Sequence, residues 1–228
     1  ITTDEGIEVF QNEKFYLLKK NVKIISDTFS LSGDKVKVFF NKDLYDITTI
    51  FADGKVILNA EANGINAEGN SMDIFLNDEK ITVRGLDSKL YLENTVMLSD
   101  GTIEVSNKEG VFTITGPNSS MTSDNINITG ENIDGQFSTI NEIREVIKLN
   151  VKDEKISNIK TNDVDMYANK AIYDKKNSII ELFESVKVIR GNEIITGDYG
   201  TLDTDTNSYK VKSNNSNKVK VIITENNE

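Results

Sequence analysis

The sequence predicts an all-β protein built of antiparallel strands, and three observations carry that expectation. Apolar residues recur at every second position in short runs, each run closes on a polar turn, and the pattern returns along the chain at a fixed offset. A period of two marks a strand with one buried face, whereas a helix would bring apolar residues back at three and four. The pattern is clearest from Met166 to Val211. Ala171 and Tyr173 share a face before the turn Asp174-Lys175-Lys176-Asn177, and Ile180, Leu182, Val186 and Val188 share one before Arg190-Gly191-Asn192-Glu193. Ile195 and Gly197 open a third run, which Asp203-Thr204-Asp205-Thr206-Asn207 closes ahead of Tyr209 and Val211.

The remaining elements follow in order. Ile7 and Val9 alternate up to Gln11-Asn12-Glu13-Lys14, then Tyr16, Leu18, Val22 and Ile24 share a face up to Ser26-Asp27-Thr28. Phe29, Leu31 and Gly33 lead to Val36, Val38 and Phe40 with a one-residue slip after Gly33, the signature of a β-bulge. Ile50, Ala52, Val56 and Leu58 continue the alternation. Residues 60–165 keep it more loosely, through Ala67, Gly69, Met72 and Ile74, then Leu90, Leu92, Val96 and Leu98. Asp100-Gly101 reads as a hairpin turn before Ile103 and Val105, and the one proline, Pro117, stands in a turn, Gly116-Pro117-Asn118-Ser119. The run from Thr139 to Val151 is ambiguous. Ile140, Ile143 and Ile147 have helical spacing and Ile147, Leu149 and Val151 strand spacing; β-branched residues dominate, so a strand is expected. A polar stretch over 214–217, a last strand from Lys218 to Thr224 and a frayed end complete the reading.

Offsetting the chain by 164 residues, without a gap, pairs Leu18 with Leu182, Val22 with Val186, Lys23 with Lys187, Gly33 with Gly197 and Asp34 with Asp198, and sets the turn 11–14 opposite 175–178. Repeated supersecondary units of this kind stack into extended architectures.

Composition removes several functions. At 228 residues the chain is one large all-β domain or two small ones, and 37% apolar residues suit a thin, extended core. With 37 acidic against 26 basic residues the net charge is -11, which repels phosphate backbones, and no Lys/Arg cluster with interleaved aromatics offsets it. No nucleic-acid partner is expected, and the charge serves solubility. There is no Cys and no His, which excludes disulfides, zinc fingers, thiol nucleophiles and His-dependent triads; no cofactor and no metal are expected. No apolar run reaches the ~18 residues of a membrane-spanning helix. The chain opens at Ile1 rather than Met, from which we expect a leader or anchor removed upstream.

Three stretches carry a resemblance: Ala168-x-x-Ala171-x-Tyr173-Asp174; Ile179 to Glu184 with Ser185-Val186-Lys187-Val188; and Ile195-Thr196-Gly197-Asp198. Asn21-Val22-Lys23-Ile24, Leu31-Ser32-Gly33-Asp34-Lys35 and the strand Ile50 to Leu58 repeat the motif. Together they resemble the LptA/OstA-like periplasmic lipopolysaccharide-transport family, to which LptC and the N-terminal domain of LptD are related. The resemblance covers residues 1–59 and 166–213 well and the middle weakly. Ser185 departs from it, standing where the family has Asn, as do the drifted middle strands and the greater length.

The resemblance implies an elongated, twisted, incompletely closed antiparallel β-jelly-roll, a β-taco of OstA-like repeats. One continuous groove would run over 1–213, in repeats of about 1–59, 60–165 and 166–213, with a terminal strand and frayed tail at 214–228. Its function would be periplasmic and non-enzymatic: acyl chains of lipopolysaccharide lie in the apolar groove, and copies or related β-jelly-roll proteins of the inner and outer membrane join head to tail by edge-strand pairing. The groove would be lined by Ile7, Val9, Leu18, Val22, Ile24, Leu31, Val36, Val38, Ala171, Tyr173, Leu182, Val186, Val188 and Ile195, with the strands near 1–10 and 209–223 as docking edges.

Apolar alternation means burial before it means ligand, so each of these side chains also reads as ordinary core. Small residues at Gly33, Ala52, Ala67 and Gly197 favour a trough by leaving room along the axis. Two alternatives stay open: a structural or adhesive β-solenoid with a dry core, and a β-sandwich that binds or hydrolyses glycans through Asp163 and Asp165. Asp203-x-Asp205-x-Asn207 begins like a calcium loop, but Ser208 and Asn214 stand where Gly and Glu are needed, so a solvated hairpin turn is expected. There is no Gly-x-Ser-x-Gly elbow and no phosphate-cradling glycine loop.

Overall fold

The computed structural model describes all residues except 62, 63, 125, 141, 142, 215, 216 and 225–228. The described residues form nineteen strands, in two compact units, Ile1–Gly116 and Pro117–Glu228. The boundary falls at the turn read from Gly116-Pro117, where a proline that cannot donate to a ladder opens the second unit.

In the first unit, β1 (Ile7–Phe10), β2 (Phe15–Ile25), β3 (Ser30–Phe40), β4 (Ile47–Ala60) and β5 (Ile65–Phe75) form an antiparallel meander. The far edge of β5 then divides. Its Ser71–Phe75 half pairs β6 (Lys80–Arg84), and its Ile65–Glu68 half pairs β7 (Ser88–Leu92). β7 continues to β8 (Thr95–Ser99), while β6 continues to β9 (Thr102–Ser106) and thence to β10 (Val111–Thr115). Gly69 stands at the fork with no room for a side chain: a Cβ there would lie 2.5 Å from Val83 Cγ1.

This branching corrects the hairpin expected at Asp100-Gly101. β8 and β9 take different partners, so the dipeptide is a corner at which the chain changes ladder. A Cβ on Gly101 would fall 2.2 Å from the Thr115 carbonyl oxygen, and the Asp100 carboxylate accepts the Asp87 N–H at 2.9 Å.

In the second unit, β11 (Ser120–Ser123) pairs β12 (Ile126–Thr129), and the 18-residue β14 (Ile143–Lys160) takes both β12 and β13 (Asn132–Ile140) along one edge. β15 (Asp165–Asp174), β16 (Ile179–Arg190) and β17 (Glu193–Asp203) extend the meander. β17 ends it by pairing β18 (Ser208–Lys212) at one end and β19 (Lys220–Ile223) at the other. The ambiguous run 139–151 is strand on both sides of a reversal, with Ile140 and Ile143 in register. Residues 141 and 142 lie outside the described residues, as do parts of the polar stretch at 214–217 and of the frayed end.

The long strands bend at matched corners. On β2, Lys20 and Asn21 take φ of 61° and 48°, and on β16, Glu184 and Ser185 take 64° and 54°. At each corner two consecutive left-handed residues drop out of the ladder: pairing stops at Lys19 and resumes at Val22, and stops at Phe183 and resumes at Val186. The slip read after Gly33 is likewise real, lying between Ser32 and Lys35 against β4. The 164-residue repeat is thus one of backbone as well as of side chains. Lys14 and Ser178 share a left-handed turn (φ 54° and 53°), Val22 faces Gly33 as Val186 faces Gly197, and Ile7 faces Leu18 as Ala171 faces Leu182.

Candidate functional site

Ladder partners share a face, so the pairing tells which side chains look inward. On β2 and β3 the inward set is Leu18, Val22, Ile24, Leu31, Val36 and Val38, and on β15 and β16 it includes Ala171, Leu182, Val186 and Val188; all ten are 3% exposed or less. Among the described residues no Asp, Glu, Lys or Arg is buried. The inward faces are therefore apolar, and the ion pairs stand outside them, as with Lys19–Glu8 at 2.7 Å and Arg84–Asp73 at 2.7 Å.

The four remaining residues of the expected lining lie where cover runs out. Ile7 faces Leu18 and Val9 faces Tyr16, yet these two β1 side chains are 50% and 39% exposed. Tyr173 and Ile195 are half-buried. Val221 of β19 faces Ile195 and is 55% exposed. At the terminal strands of each unit, then, the inward apolar face continues into solvent as a lip. Sequence alternation fixes which face a residue takes and carries no information on whether another layer covers it.

The small residues do not leave an open channel. A Cβ on Gly33 would sit 3.3 Å from the Asp53 carbonyl oxygen, and one on Gly197 would sit 2.6 Å from both the Lys212 carbonyl oxygen and Val211 Cγ1. These glycines let neighbouring backbone approach closely, and Ala52 and Ala67 are buried at 1%.

Among the described residues three buried hydroxyls have no hydrogen-bond partner, those of Tyr16, Ser157 and Ser213, and of these residues Tyr16 and Ser157 are fully buried. Tyr16 is fully buried beside Phe40, with ring centroids 6.2 Å apart, and burial pushes its phenol up to about 12.

A pocket of about 310 Å³ opens in the second unit. Met121, Ile126, Val146 and Leu149 form its apolar floor, and Asp124, Asn162, Asp163 and Asn207 stand on its rim with Tyr173 and Lys175. Lys175 is held by Glu145 at 2.6 Å, and Asn207 reaches Asp163 at 3.5 Å. The carboxylates singled out for glycan chemistry do not work as a pair here: Asp165 is drawn to Lys160 at 3.6 Å while Asp163 faces the pocket. The Asp203 carboxylate accepts the N–H groups of Asp205 (3.1 Å) and Thr206 (2.8 Å), and the Thr206 backbone bond chiefly holds its pKa below the usual carboxylate value. It is the hairpin turn between β17 and β18. Among the described residues no group of three His, Cys, Asp or Glu is placed to hold a metal ion.

Sequence reasoning missed this pocket, whose rim comes from turns far apart in the chain, and the inward residues Phe112, Ile114 and Met121. The even spacing of 112 and 114 was signal enough for their strand, as that of Ile126 and Ile128, read as one face of a strand, was for theirs.

The chain is similar to a known family and to solved structures. Residues 98–208, a little under half of the chain, match the model of the LptA/(LptD N-terminal domain) LPS transport protein family. The match takes in the middle, where the resemblance of individual motifs is weakest, and leaves out residues 1–97. The crystal structure of LptH, the LptA homologous periplasmic component of the lipopolysaccharide transport device from Pseudomonas aeruginosa, aligns over 72% of this chain and 97% of that one at 14% identity. The TM-score of that alignment is 0.31. No curated protein matches the chain. Over residues 98–208 the chain is thus similar to the LptA/(LptD N-terminal domain) LPS transport protein family.

Proposed function

We propose that the chain is a periplasmic lipopolysaccharide-transport protein that shields acyl chains against the inward apolar faces of its sheets and passes the lipid on without chemistry. The observation that carries this reading is the apolar lip: Ile7 and Val9 on β1, and Val221 on β19, extend a buried apolar face into solvent at the terminal strand of a unit. A sheet edge of that kind is a liability unless something is added to it. The family match over 98–208 names lipopolysaccharide transport as the setting. An alkyl chain laid along the inward face would gain about 0.8 kcal/mol per methylene taken from water, with no polar contact required. The same exposed strands offer unpaired backbone for strand addition, the route by which copies or related membrane-bound partners would join into a bridge.

A dry architectural protein is the second reading. It is favoured by the closeness of the buried packing, in which ten of the fourteen expected lining residues are 3% exposed or less. Under the transport reading the lip is where the walls part to admit lipid.

The test is capture of purified lipopolysaccharide by the folded chain, scored by co-elution, with Val22→Asp and Val186→Asp as variants. Transport predicts capture by the parent chain and its loss in the variants that remain folded. A folded parent chain that retains no lipopolysaccharide overturns the proposal in favour of the architectural reading.

A further inference from the structure

We propose that the Tyr16 hydroxyl is the polar anchor of a bound acyl chain, donating a hydrogen bond to the ester or amide carbonyl at the chain's head end; this rests on the lipid-binding reading above. Tyr16 is fully buried on the inward face of β2, and its hydroxyl has no hydrogen-bond partner. Buried polar groups are almost always satisfied, and a phenylalanine would fill the same space against Phe40 without an orphaned hydroxyl. The group is therefore explained by a partner that arrives from outside.

Position and chemistry narrow that partner. Tyr16 is in register with Val9 of the exposed lip on one side and with the fully buried Val38 on the other. It stands at the threshold between solvent and interior. An acyl chain entering over the lip sends its methyl end inward and leaves its carbonyl nearest the head group, at this threshold. Burial keeps the phenol neutral far above neutral pH, so it offers one uncharged donor. No buried charge accompanies it, which disfavours a phosphate or carboxylate in its place.

The experiment compares two probes, monododecanoyl glycerol and its ether analogue dodecyl glycerol, which lacks the carbonyl, on the parent chain and on Tyr16→Phe. The parent should bind the ester about tenfold more tightly than the ether, and Tyr16→Phe should bind both at the ether level. The same substitution should raise the melting temperature of the lipid-free protein by about 2–4 °C, because it removes an unsatisfied group. An ester preference that survives in Tyr16→Phe, or a melting temperature that falls, overturns the inference and leaves lipid binding standing. If neither probe binds and lipopolysaccharide is not captured, both proposals fall together.

Discussion

Asn21 and Ser185 occupy the same corner of two strands 164 residues apart, each the second of two left-handed residues, with φ of 48° and 54°. The conformation costs a side chain that cannot bond locally about 1–2 kcal/mol, and Asn is the non-glycine residue that bears it best. The resemblance places Asn at this position, and the corner supplies its physical reason. Ser185 is then the strained copy. Ser185→Asn should raise unfolding stability by about 0.5–1 kcal/mol and Asn21→Ala should lower it by about 1 kcal/mol, read as shifts of the urea midpoint at constant slope. A Ser185→Asn variant no more stable than the parent would show that the corner is not strained.

Gly33 and Gly197 are repeat-equivalent, yet their surroundings differ. A methyl at Gly33 meets the Asp53 carbonyl oxygen at 3.3 Å, a contact that a small shift relieves; at Gly197 it meets the Lys212 carbonyl oxygen and Val211 at 2.6 Å, which needs β18 to move. Gly197→Ala should cost about 1–3 kcal/mol and Gly33→Ala less than about 1 kcal/mol. Equal losses would mean that the two sites are limited by backbone freedom rather than by the neighbouring strand.

The strands and their inward faces were legible because period-two alternation is imposed by the pleat itself, so Leu18, Val22, Leu182 and Val186 declare their face wherever they are found. The repeat was legible for the same reason, and its turns at 11–14 and 175–178 share a left-handed residue. Cover was not legible. Ile7 and Leu18 obey one rule and differ only in what lies above them. Ladder partners between distant strands were hidden too: Asp100-Gly101 has the composition of a hairpin, and only the branching of β5 into β6 and β7 shows why β8 and β9 part. The pocket is further still from the sequence, since no single run contains its rim.

On the outward face of the first unit, Phe10, Phe15, Phe39, Phe51 and Phe75 make a continuous ladder across five strands, with neighbouring centroids at 4.4, 5.7, 5.7 and 6.0 Å. The Lys37 ammonium lies 3.9 Å from the Phe15 centroid and 4.7 Å from that of Phe39. Each cross-strand aromatic pair is worth about 0.5–1.5 kcal/mol beyond burial. Phe39 has two such neighbours and Phe10 one. Phe39→Ala should therefore destabilise more than Phe10→Ala, and a double-mutant cycle on Phe39 and Phe51 should give a coupling of about 0.5–1.5 kcal/mol. Additive losses would reduce the ladder to independent surface residues.

Alkaline pH offers a reading of the buried phenol without any ligand. Tyr16 is raised from 10.0 to about 12 by burial, and Tyr199 reaches about 12 first through the hydrogen bond it donates to Glu181 at 2.6 Å, then through burial. In the unfolded chain both ionise near pH 10. Between pH 10 and 12 the unfolded state has given up these protons and the folded state has not, so unfolding is favoured progressively as pH rises. The contribution is fully present below pH 10 and is lost by about pH 12. Urea midpoints should be level from pH 8 to 9.5 and then fall, and either Tyr16→Phe or Tyr199→Phe should flatten the fall in part; Tyr173 and Tyr209, also raised by burial first, keep some of it. The two variants separate below pH 9.5. Tyr199→Phe gives up a hydrogen bond and should be less stable than the parent, whereas Tyr16→Phe sheds an unpaired hydroxyl and should be more stable. A Tyr16→Phe protein with the parent's alkaline slope would mean that its phenol reaches solvent in the folded state.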